Sequence, residues 1–254
     1  MAPATVLIPC AALVLLFTAT GLVLFIRGVA RMVRLVAAGK PEWRPLSERI
    51  WTALRVTVLH TTFKQRPVVR VAHWFVMVSF VALVLTLVTS YAQLWNPLFV
   101  LPLIGDTAWW GWATESLAYL GLLSILILAS IRVWLRLFYR ERPRKSRFFG
   151  STRWQARFVE AVVALVTAAV LISHALRFAL DSALGDAPNP LHYPLTAWLG
   201  RLWSGAPPST LAGWLVVVAT SKILVSMAWM IITGLDVAMG ISWHRFLAPV
   251  NIMT

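Results

Sequence analysis

Five apolar runs, each long enough to cross a lipid bilayer, leave this chain few folds to choose from. A helix needs about 20 apolar residues to span the ~30 Å hydrocarbon core, where backbone polar groups must be satisfied within the segment. The runs lie at about residues 5–26, 68–94, 115–137, 158–180 and 211–241. They are continuous rather than alternating, which argues against a membrane β-barrel. The last is long for one crossing and predicts a helix that tilts or projects beyond the membrane. The expectation is therefore all-α: one polytopic membrane domain, a bundle of five transmembrane helices. The start, Met1-Ala-Pro-Ala-Thr5, lacks a basic leader, so the first run is read as a retained span rather than a cleaved signal.

The overall balance of residues agrees. Of 254 residues, 59% are hydrophobic and only 13% charged, against about a quarter charged in soluble domains. A soluble enzyme is excluded, and so is disorder, which needs low hydrophobicity. The net charge of +14 would suggest nucleic acid on a soluble body, but here membrane topology accounts for it. Ten Lys and Arg fall between Arg27 and Arg70 and nine between Arg132 and Arg157. The two opposite loops hold only Arg177 and Arg201, with Asp106, Glu115, Asp181 and Asp186 on the same side. Because cytoplasmic loops carry the excess of Lys and Arg, the N-terminus is expected outside and the C-terminus in the cytoplasm. The localisation expected is a multi-pass protein of the cytoplasmic (cell inner) membrane. Within the first basic loop, Pro41 and Pro45 precede an amphipathic segment, 46–59, with Ile50, Leu54 and Val58 on one face. Such a helix would lie in the interface, touching anionic lipids. The second basic loop, Arg140 to Arg147, could meet lipid headgroups or an acidic partner.

Charged or ionisable side chains inside spans are costly and mark function by default. Here they are His73 in the second span, His174 and Arg177 in the fourth, and Lys222, Asp236 and His244 in the fifth. His73 lies six residues past Pro67, about 9 Å of helix rise, and His244 five residues before Pro249, about 7.5 Å. Both would sit at similar depth near the cytoplasmic face, on different helices. Two facing imidazoles could supply the axial nitrogens of a haem iron. Arg70 and Arg245 could then meet the propionates, with Trp74, Phe75, Trp243 and Phe246 as aromatic walls. The plainer alternative makes each histidine an interfacial residue at a helix end, and zinc lacks a second pair of ligands. His174 and Arg177 share a face of the fourth span, and Lys222 lies too deep to snorkel. Together they could form a quinone pocket toward the outer leaflet; the alternative places His174 and Arg177 at the headgroup boundary and Lys222 against a polar crevice with no ligand. Asp236 is expected to pair with an Arg or receive a proton, and His60 and His192 to be solvated or interfacial. The single cysteine, Cys10, precludes a Cys-ligated iron–sulfur cluster within this chain and reads as a small buried hydrophobe.

Four runs carry a resemblance: Arg70-Val-Ala-His-Trp-Phe-Val-Met-Val-Ser-Phe80, Pro102-Leu-Ile-Gly105, Ser146-Arg-Phe-Phe-Gly-Ser151 and His244-Arg-Phe-Leu-Ala-Pro-Val-Asn251. They resemble the membrane domain of an actinobacterial type of iron–sulfur-binding reductase. In those proteins a part similar to the nitrate reductase gamma subunit joins a cytoplasmic part like heterodisulfide reductase, some linked to electron-transfer flavoprotein. The resemblance implies a b-type cytochrome that exchanges electrons with menaquinone, its inner haem b held by the positions of His73 and His244. A second, outer haem in the nitrate reductase subunit would need histidines near Leu83 and Ser226, which cannot ligate iron. One haem is implied, or two if His174 is recruited. The cysteine-rich soluble domain of the family is not in this chain, so the implied partner is a cytoplasmic iron–sulfur reductase domain or subunit. No nucleic-acid partner is expected. The function expected is electron transfer between that partner and the menaquinone pool; the alternative is a haem-free anchor that recruits a soluble reductase.

Overall fold

A computed structural model describes residues 2–39, 45–60, 65–138 and 151–253 of the chain. Helices dominate, and the described residues form no strand. In chain order they are α1 (Ala4–Ala37), α2 (Leu46–Leu59), α3 (Pro67–Gln93), α4 (Ala108–Phe138), α5 (Arg153–Ala183), α6 (Ala197–Trp203), α7 (Pro208–Leu235) and α8 (Gly240–Met253), with a 3-10 turn at Pro190–His192. Five of them, α1, α3, α4, α5 and α7, are long and apolar enough to span a membrane, so the protein is a multi-pass helical membrane bundle. The basic segment 140–147 lies outside the described residues.

Local chemistry sets several helix starts. Pro67 opens α3 and Pro208 opens α7, where a missing N–H costs nothing. At the head of α5, Thr152 and Gln155 form a capping box, with Thr152 N donating to Gln155 Oε1 at 2.7 Å. With 34 residues, α1 rises about 50 Å, well over the bilayer core, so it tilts or extends past it. Many large apolar side chains face outward, Leu15, Val81 and Leu126 among them, as lipid-facing positions should.

The central helix is α7, which packs against α1, α3 and α5, while α4 closes the bundle against α3 and α5. Its contact with α1 depends on bare backbone. A Cβ at Gly234 would stand 2.4 Å from the Leu24 carbonyl oxygen, and one at Gly28 would stand 2.9 Å from Gly234 Cα. Small residues let membrane helices approach this closely. Gly234→Ala should therefore push α1 off α7 and cost about 1–3 kcal/mol, the usual range for overpacking. Thermal unfolding in detergent checks this against Gly205→Ala, whose added Cβ meets nothing within 4 Å.

The fifth span departs from expectation. One helix was expected over 211–241, but α7 stops at Leu235, and Asp236 is extended (φ −114°, ψ 90°). A turn follows before α8 begins at Gly240. Side chains at and just before the head of α5 hold the break: Gln155 Nε2 donates to Asp236 Oδ2 at 2.7 Å, and Ile241 N donates to Ser151 Oγ at 3.0 Å. Asp236 Oδ1 also accepts from Ala238 N at 3.0 Å. Asp236 thus caps a turn and pairs with an amide, not with an Arg. Pro249 lies inside α8 and is not a stop, so the depth count back from it does not describe the molecule.

Candidate functional site

Three histidines meet where α2, α3 and α8 converge. The rings of His73 on α3 and His244 on α8 stand 6.2 Å apart, centroid to centroid, tilted by 46°. His60, which ends α2, brings its Nε2 within 2.8 Å of His73 Nδ1. It was expected to be solvated or interfacial; it is 5% exposed, so it is not solvated. Its backbone is left-handed (φ 47°, ψ 44°), a conformation that turns the chain inward and that His tolerates better than branched residues do.

The pair fits a metal that brings its own equatorial ligands. An imidazole nitrogen binds a transition metal at about 2 Å, so a metal held in line between two imidazoles sets their centroids roughly 6 Å apart. His244 Nδ1 lies 2.6 Å from the Ile241 carbonyl. A carbonyl only accepts, so the proton of neutral His244 is on Nδ1 and the lone pair on Nε2, the arrangement of a ligating imidazole. Burial lowers the pKa of His244, with Arg245 adding to it, and burial lowers that of His60. Both are held neutral at pH 7. Among the described residues no group of three or more His, Cys, Asp or Glu could hold a bare metal ion, whereas haem needs only the two axial donors.

The neighbours of the pair have partners within the protein. Arg70 Nε donates to the Leu59 carbonyl at 2.9 Å and so ties α3 to the end of α2. Arg245 lies over the rings of Phe80 and Trp229, 4.4 and 5.4 Å from their centroids, an arrangement suited to cation–π attraction. Trp243 stacks on Phe25 at 5.8 Å, and with Phe246 it lines a groove between α1 and α8. Trp74 packs edge-on against Phe75.

At the other end of the bundle, a cavity of about 50 Å³ brings together Lys222, His174 and Arg177 with Gln93, Asp106 and Tyr193. That is room for about three waters. Lys222 is 3% exposed, and its Nζ donates to the Thr86 carbonyl at 2.8 Å. The other two basic groups face carboxylates. His174 Nδ1 lies 3.0 Å from Glu115 Oε1, and Arg177 Nε lies 3.7 Å from Asp181 Oδ2. Tyr193 Oη also donates to Asp181, at 3.0 Å. His192 lies 3.6 Å from Asp106.

Glu115 escaped notice in the sequence because it counted only as an outer-loop charge. It is fully buried and accepts from Leu195 N at 2.7 Å, Thr196 N at 3.1 Å and Thr196 Oγ1 at 2.5 Å, as well as facing His174. One carboxylate thereby pins the turn before α6 to α4 and orients a cavity residue.

The two sites are separated by packed side chains. His73 and Thr86 are thirteen residues apart on α3, about 20 Å of rise. Between them Leu83 packs with Ala118 and Val170, and Ser226 Oγ donates to the Lys222 carbonyl at 2.8 Å. Leu83 is buried in this packing, whereas Ser226 is partly exposed and its hydroxyl is bonded within α7. Comparison of the chain with family models, curated proteins and solved structures finds no match.

Proposed function

We propose that the protein is a membrane electron-transfer subunit that holds one b-type haem between His73 and His244 and works between a cytoplasmic iron–sulfur partner and menaquinone. The observation that carries this reading is the 6.2 Å spacing of two imidazoles on separate helices, with the Nδ1 of each engaged by a neighbour. Bound there, haem would supply one-electron transfer. The chain's contribution is to set the two imidazoles opposite each other, and the latch from the head of α5 onto the α7–α8 turn supports the helix that carries His244.

Lys222 is the proposed contact for a quinone oxygen. Its ammonium donates to a backbone carbonyl and retains donors for a second acceptor; the cavity beside it, with room for about three waters, would admit the carbonyl edge of a quinone and not the whole ring. His174 and Arg177 would flank that acceptor. The orientation proposed places α2 and α8 on the cytoplasmic side, where α2 exposes Trp51, Leu54 and Val58 beside Arg49 and Arg55. The partner and anionic lipids would meet the protein there.

The test is spectroscopic. Protein purified in detergent should show a Soret band and a reduced b-type α band at one haem per chain, and added naphthoquinone should reoxidise the reduced pigment. Colourless protein that stays colourless after reconstitution with haemin would overturn the proposal in favour of an anchor.

A further inference from the structure

His60 is the one member of the histidine group for which the proposed function has no use, and its position is costly to explain otherwise. The helix before it is amphipathic and mostly exposed; Ala53 is its only buried residue. A residue ending such a helix should face water. His60 instead takes a left-handed backbone and is almost fully buried with its ring against His73, the centroids 5.0 Å apart.

An imidazole that ligates through Nε2 carries its proton on Nδ1, so a ligating His73 donates from Nδ1–H to His60 Nε2 across 2.8 Å. A proton on Nδ1 of His73 puts its lone pair on Nε2. His73 and His244 then share one tautomer, one fixed by a carbonyl and the other by a histidine.

We propose that His60 is a positioning residue for His73, fixing its tautomer and ring plane and raising its strength as a ligand. The inference rests on the haem reading above. In metal sites the partner of a ligand's distal N–H orients the ring and tunes its basicity. Two further contacts make α2 the element that governs this bond: it packs against α8, the helix of His244, and Arg70 ties its last carbonyl to α3. The surface helix therefore touches both histidine-bearing helices, and a partner or lipid that shifts α2 changes the hold on His73.

Two substitutions separate positioning from mere helix capping. His60→Asn suits the left-handed backbone but is too short to reach His73. His60→Gln places an amide near the position of the imidazole Nε2. In purified full-length protein, His60→Asn should retain pigment but release haem to an apo-globin acceptor about 10–100-fold faster. Its low-spin ferric resonance signals should shift. His60→Gln should fall between His60→Asn and the unsubstituted protein. Release and resonance signals within twofold of the unsubstituted protein in His60→Asn would overturn the proposal while leaving the haem reading intact.

A readout without haem keeps the two separate. With ¹⁵N-labelled histidine and no haem added, His73 should show the Nδ1-protonated tautomer, and His60→Asn should abolish that preference. An unchanged tautomer overturns the role of His60 even if the protein proves colourless. If His60→Asn fails to fold, the same measurement on His60→Gln decides.

Discussion

His73→Ala and His244→Ala should each remove the Soret and α bands from otherwise intact protein. Loss of a hydrogen-bonding partner outside the ligand set already costs about 10–100-fold in metal affinity, so loss of an axial nitrogen should cost at least that. The two histidines stand on separate helices, their rings 6.2 Å apart. A single substitution therefore leaves a one-sided site. The expected haem content is below about a tenth of that of the unsubstituted protein, read as pyridine haemochrome per chain. His174→Ala is the contrast. Its imidazole is engaged by Glu115 at the far end of the bundle, and it should keep full haem content. Pigment retained in His73→Ala would remove the proposed site, and pigment lost in His174→Ala would point to a second haem.

The largest expected effect on stability comes from Glu115→Ala. The carboxylate is buried completely and serves three donors on the segment before α6, together with His174. Removing one partner of a buried charged network costs about 3–5 kcal/mol, because the remaining groups are stranded away from water. Leu195 N, Thr196 N and Thr196 Oγ1 would all lose their carboxylate acceptor. At 254 residues a loss of that size lowers the unfolding midpoint by roughly 10 °C. Near-ultraviolet circular dichroism of the detergent-solubilised protein would report it. Glu115→Gln should fall between, since its amide keeps one acceptor and adds donors where donors already crowd. A Glu115→Ala protein as stable as the unsubstituted one would mean that the 190–197 segment is held by other contacts.

Different features of the chain were legible to different degrees. The five spans followed from hydropathy because each run is continuous and exceeds the bilayer requirement. The amphipathic period of residues 46–59 coincides with α2. The break after Leu235 was invisible to the same reasoning. Val237, Ala238 and Met239 keep the local hydropathy high, and what stops the helix is a set of hydrogen bonds from Ser151 and Gln155, more than eighty residues earlier. Counting residues did bring His73 and His244 to one place, although His244 arrives there on a separate helix. His60 and Glu115 were misjudged for a shared reason. Each lies at the edge of an apolar run, where composition predicts water, and each is buried by an element remote in sequence. Polarity alone does not distinguish an interfacial residue from one folded over by a loop.

The packed interval along α3 has an electrical consequence. The histidine pair and the Lys222 cavity lie about 20 Å apart, roughly two-thirds of the ~30 Å hydrocarbon core. Leu83, Ala118 and Val170 fill the space between with atoms of low polarisability. An elementary charge carried through a whole bilayer exchanges about 2.3 kcal/mol for every 100 mV of membrane potential, and two-thirds of the way roughly 1.5 kcal/mol. Under the proposed function, charge traded between the two ends would be charge moved through the membrane field, and the voltage across the membrane would enter the equilibrium between them.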